Sequence, residues 1–122
     1  RSRIFLRSGD EAEVGTGFVT LEDVSVFDMI AAVQEMLQRA RPDPPAKMRR
    51  PVVTVAERIE DILLHLTAEG RPLQFSELVD MPATRLFIIV TFLAILELVR
   101  RRRVRITQSR PLRDFAVELA RG

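Results

Sequence analysis

The chain has 122 residues, 47% of them hydrophobic, enough for one small domain with or without an appendage. It has no cysteine and a single histidine, which excludes disulfides and zinc sites of the usual composition. Nineteen Lys and Arg against seventeen Asp and Glu leave a net charge of +2, an ordinary balance that does not by itself point to nucleic acid.

Residues 1–23 combine Gly9, Gly15 and Gly17 with the short apolar runs Ile4-Phe5-Leu6 and Phe18-Val-Thr-Leu21. They read as an extended or irregular segment, too poor in apolar residues for a core of its own. Arg1-Ser-Arg-Ile-Phe-Leu-Arg7 lacks the apolar central region of a signal peptide. Residues 24–41 hold a first amphipathic helix. Ser25 is placed as its cap and Asp28 in its first turn, with Val26, Met29, Ile30, Val33, Met36, Leu37 and Ala40 on one face. Residues 42–53 contain Pro42, Pro44, Pro45 and Pro51 and read as a linker and domain boundary, because proline denies backbone donors and favours extended chain.

Residues 54–122 are more regular. Thr54-Val-Ala-Glu57 is a capping box, and Val55, Ile59, Ile62, Leu63 and Leu66 give a helical stripe that Gly70 ends. Leu73-Gln-Phe75 alternates as a short strand, and Ser76 is placed to cap a short helix ended by Pro82. Thr84 then opens the longest apolar stretch, which reaches Arg100. Its stripe Ile89, Phe92, Leu93, Leu96 and Val99 is expected to pack on the preceding helix and the hairpin. A second stripe, Phe87, Val90, Ala94 and Leu98, is left for another cover, since a helix apolar nearly all round is buried on more than one side. The stretch is shorter than the ~20 apolar residues of a membrane span. Val104-Arg-Ile-Thr107 and Phe115-Ala-Val-Glu-Leu119 alternate as strands of a hairpin around the turn residues Gln108-Ser-Arg-Pro-Leu-Arg-Asp114.

The predicted fold class is therefore mainly α, with a C-terminal winged helix over residues 54–122 carrying a small two- or three-stranded sheet. Its predicted core is Ile59, Ile62, Leu63, Leu66, Phe92, Leu96 and Val104.

No catalytic constellation is visible. His65 lies four residues after Asp61, a surface pair in a helix. Glu57, Glu60, Asp61 and Glu69 read as a solvated face, and the glycines lack the pattern of a phosphate loop. No enzyme activity, cofactor or metal is expected.

A winged helix commonly binds DNA, and a DNA-binding module like those of transcription regulators is the alternative reading. The long helix offers only Thr91 and Glu97 in its middle, and Glu97 repels phosphate. Arg100, Arg101, Arg102 and Arg103 follow at its C-terminal end, where they complement the helix dipole; they are candidates for contact with phosphate or an acidic partner. Direct DNA contact is at most non-specific on this reading. The apolar excess favours protein binding, through the second stripe or through a strand added to the hairpin edge.

Val55-Ala-Glu-Arg-Ile-Glu-Asp-Ile-Leu63, Gln74-Phe-Ser-Glu-Leu78, Val90-Thr-Phe-Leu-Ala-Ile-Leu-Glu-Leu98 and Arg103-Val-Arg-Ile-Thr-Gln108 resemble the C-terminal domain of bacterial segregation and condensation protein A, the kleisin subunit of the SMC condensin complex. Residues 1–7 and Ser25-Val-Phe-Asp-Met-Ile30 resemble that family's middle region. The run of four arginines exceeds the family pattern. The family's N-terminal helical domain is missing and the chain starts with Arg, so the resemblance implies a fragment or truncated protein.

It also implies a non-catalytic bridging role in chromosome condensation and segregation, in the cytoplasm and associated with the nucleoid, with no membrane partner. The expected partners are an SMC ATPase head, an ScpB dimer and, through the complex, DNA. The residues expected to meet the SMC head are Phe87, Val90, Ala94, Leu98, Phe115 and Val117. Those expected to meet ScpB are Ile4, Phe5, Phe18, Val26, Met29, Ile30 and Val33.

Overall fold

Four short capping signals set where the helices begin and end. The computed structural model describes residues 20–21, 24–45, 53–108 and 114–120. Strands β1 (Thr20–Leu21) and β2 (Val24–Ser25) pair antiparallel. The Ser25 hydroxyl then accepts a hydrogen bond from the Asp28 N–H at 3.1 Å and starts α1, Val26–Gln38. Helix α2, Val55–Glu69, opens with the reciprocal bonds of a capping box: Glu57 N–H to Thr54 Oγ1 at 3.1 Å and Thr54 N–H to Glu57 Oε1 at 2.9 Å. It closes at Gly70, which takes the left-handed conformation at φ +66° that glycine adopts without strain.

Strand β3 (Leu73–Gln74) runs straight into α3 (Phe75–Val79). The helix is capped at Gln74 rather than at Ser76, because Phe75 N–H already donates to Phe115 O at 2.8 Å and no residue remains for a separate turn. Ser76 instead donates its hydroxyl to Asp114, just ahead of the last strand. Thr84 caps α4, Arg85–Arg100, by accepting from Phe87 N–H at 3.3 Å. Strands β4 (Val104–Thr107) and β5 (Ala116–Leu119) follow.

The three-stranded antiparallel sheet has the order β3-β5-β4. Its register aligns Leu73, Val117 and Ile106 in one row, all buried, while Arg105 and Glu118 face each other on the other side. Phe75 stacks on Phe115 with centroids 4.9 Å apart and meets the edge of Phe92 at 6.4 Å. Of the predicted core, Ile59, Ile62, Leu66 and Val104 are buried, while Leu63, Phe92 and Leu96 are half-buried at its margin.

Helix α1 shares this core. Its stripe Met29, Ala32, Val33 and Met36 joins the same apolar cluster as α2, α3, α4 and the sheet, and the helix packs on α4. The chain after it is bonded to the start of α4. Arg41 N–H donates to Ala83 O at 2.8 Å and Arg85 N–H to Arg41 O at 3.3 Å. Arg85 also donates its side chain to Leu37 O at 3.0 Å, satisfying a carbonyl at the end of α1, while Asp43 accepts from Leu86 N–H at 3.2 Å. Arg85 thus caps the end of α1, and the chain that follows α1 caps the start of α4.

Residues 41–45, where the expected linker begins, carry no helix or strand and are bonded to the start of α4 through Arg41 and Asp43. The prolines prevent regular pairing but leave the Arg41 N–H and the Asp43 carboxylate available. Residues 46–52 of the expected linker lie outside the described residues.

Candidate interaction surface

Helix α4 presents two apolar sides. Ile88, Thr91, Ala94, Ile95 and Leu98 point inward and are fully buried, with Val90 nearly so. Ile89 and Leu93 point outward, 38% and 45% exposed, beside the half-buried Leu86 and Leu96 and between Arg85 and Arg100. Of the stripe expected to face the core, Ile89 and Leu93 are exposed, while Phe92, Leu96 and Val99 pack against it. Val90, Ala94 and Leu98 lie in the core, as do Phe115 and Val117, so none of the five offers a surface; Phe87 is half-buried. The physical reason is size. Thr91 and Ala94 are small, and small side chains on one side let covering helices approach closely.

Arg58 explains how a threonine can sit on the buried side. The arginine itself is buried, 6% exposed. It donates from Nε to Thr91 Oγ1 at 3.0 Å and from Nη2 to Leu78 O near the end of α3, and it lies 4.7 Å above the Phe87 ring. Burial pulls its pKa down, partly offset by the charge of Asp61. One side chain thus ties α2, α3 and α4 together. The sequence carried a sign of this: Arg58 is three residues after Val55 and four before Ile62, on the apolar stripe.

At the other end of α4, Arg100 and Arg101 both grip Glu97, with Nε–oxygen distances of 3.0 and 2.7 Å. Those bonds hold the Glu97 carboxyl far below the usual range, at about 2. Arg102 and Arg103 are exposed. Strand β4 is an edge of the sheet. Ala120 N–H donates to Arg103 O at 2.9 Å, and the antiparallel alternation then turns the backbone groups of Val104 and Ile106 away from β5, toward the open edge.

On α1, Met29 and Val33 are buried against the core and Val26 and Ile30 are half-buried, so this face is largely covered within the chain. Ile4, Phe5 and Phe18 lie outside the described residues. His65 stands 4.0 Å from Glu69 in solvent. Among the described residues no three His, Cys, Asp or Glu side chains gather to hold a metal, and no described helix is long and apolar enough to cross a membrane.

The family model for segregation and condensation protein ScpA matches residues 11–120. The chain belongs to the ScpA family. Segregation and condensation protein A of Myxococcus xanthus is 36% identical over 104 residues, covering 84% of this chain and 34% of that protein. The Listeria monocytogenes protein of the same name is 35% identical over 114 residues, 89% of this chain and 45% of its own length. For the Bacillus anthracis protein the figures are 34% over 89 residues, 71% and 36%. The chain thus spans between a third and a half of the length of these ScpA relatives.

Proposed function

We propose that this chain is a non-catalytic, kleisin-type part of a chromosome segregation and condensation complex in the bacterial cytoplasm, where it docks on an SMC ATPase head and helps link it to an ScpB dimer. Family membership supports the setting. The order helix, strand, helix, helix, hairpin, with the first strand paired to the last, supports a winged-helix reading of residues 54–122.

The observation that carries the docking reading is the uncovered outward side of α4. In a winged helix that reads DNA, this side would enter the major groove and carry polar or basic side chains in its middle. Here its middle is Ile89 and Leu93, which suit the apolar centre of a protein interface. The open edge of β4 offers a second contact, to which a partner strand can add. Contact with ScpB is assigned to the region ahead of α1, including Ile4, Phe5 and Phe18, rather than to the covered Met29 and Val33.

The test is calorimetric titration of an SMC head with the whole chain and with Leu93→Asp. A central apolar anchor contributes about 2 kcal/mol or more, so the variant should bind roughly 30-fold more weakly while its circular dichroism stays native. Unchanged affinity in a folded Leu93→Asp would overturn the assignment of this surface.

A further inference from the structure

Helix α4 ends in a Schellman turn: Arg102 N–H donates to Val99 O and Arg103 N–H to Leu98 O, both at 2.9 Å. The residue in the left-handed position is Arg102, at φ +59°. Glycine is the usual occupant, because a Cβ is strained there, and the same chain uses Gly70 at the matching position after α2. An arginine at α4's end works against the turn it sits in. Its side chain does nothing for the fold in return: among the described residues neither Arg102 nor Arg103 has an ion-pair partner, and both are exposed.

The neighbours divide in the same way. Arg100 and Arg101 share the single carboxylate of Glu97, so the corner keeps an excess of positive charge. The one apolar side chain in residues 100–105, Val104, is buried, so this stretch presents charge alone at its surface. Protein interfaces are built around apolar centres, whereas a phosphate backbone is bound by cations displacing its counterions.

We propose that the α4–β4 corner, through Arg102 and Arg103 with Arg101 beside them, contacts the phosphate backbone of duplex nucleic acid without reading its bases. The apolar outward side of α4 gives no base readout, so the contact positions the chain on a duplex of any sequence. This site is independent of the docking surface on Ile89 and Leu93.

The test is fluorescence anisotropy of the full chain with a short labelled duplex over a salt series. Arg102→Gly relieves the left-handed strain, so it should raise the melting temperature and yet weaken duplex binding. One lost phosphate contact lowers affinity about eightfold near ~0.1 M salt and reduces the slope of log K against log salt by roughly 0.9. Arg103→Gln should weaken binding similarly without the gain in stability. Arg39→Gln removes the same charge from an exposed residue just beyond the end of α1 and should leave binding unchanged. The proposal is overturned if the unmodified chain fails to bind duplex at low salt, or if Arg102→Gly binds as the unmodified chain does. It is equally overturned if Arg39→Gln loses as much affinity, which would reduce the effect to net charge. Tighter binding of poly-glutamate than of duplex would assign the corner to an acidic polypeptide instead.

Discussion

The inward and outward sides of α4 differ less in hydrophobicity than in shape. The outward side carries Ile89, Leu93 and Leu96; the inward side carries Ile88, Ile95 and Leu98 but also Thr91 and Ala94. Each side carries three large aliphatic side chains, and the outward one is left open. Burial followed the side that neighbouring elements can approach, and Arg58 supplies the polar partner that Thr91 needs there. An interior is close-packed, so fit counts as much as transfer from water.

The sharpest way to break this comparison is to truncate one residue from each side. Leu98→Ala leaves a cavity in the fully buried core and should cost roughly 2–5 kcal/mol in urea denaturation, whereas Leu93→Ala should cost under about 1 kcal/mol. Equal losses would mean that both sides are covered.

Arg58→Ala comes next. It strands Thr91 and the Leu78 carbonyl in the interior and removes the cation above Phe87, a loss of about 2 kcal/mol or more. A loss within ~0.5 kcal/mol, the scale of ordinary surface changes, would show that Thr91 is tolerated on the inward side without its partner.

Asp43→Ala tests whether α1 belongs to the inward cover. Removing this cap from α4 should cost about 1 kcal/mol. Amide exchange in α1 and the first turn of α4 should speed up while the middle of α2 stays protected. Uniform exchange changes would instead merge α1 with the global unfolding unit.

The smallest effect belongs to Glu97, at the end where the outward side meets the arginines. Its folded pKa of about 2 lies below the ordinary carboxylate value, so its contribution to stability is complete above that ordinary value and fades as pH falls toward 2. The pair is exposed and screened by salt, so acid stability should change little. The carboxyl resonance of Glu97 should titrate near 2 and return toward the ordinary range in Arg100→Gln/Arg101→Gln. A midpoint in the ordinary range before mutation would show that neither arginine holds it.

Helix ends were readable in the sequence because capping is local. Ser25, Thr54, Gly70 and Thr84 each act within a few residues, and the structure uses all four as expected. The strand positions were readable too, because Val104 and Ile106 alternate with Arg105 and Thr107. Ser76 misled because Gln74 and Phe75 are already committed to strand pairing when the helix begins.

The orientation of α4 and the docking of α1 depend on contacts far apart in the chain. Arg58 meets Thr91 across 33 residues and Asp43 meets Leu86 across 43, and no local pattern records either pairing. Which side of α4 the fold leaves exposed was therefore not legible from the local pattern.

The most direct test of the two-sided account is site-specific photocrosslinking. A crosslinking side chain is placed at position 93 and, separately, at position 98, and the whole chain is irradiated with an SMC head. The account predicts a crosslinked adduct from position 93 and none from position 98. An adduct from position 98, or none from position 93 when the head is bound, would contradict it.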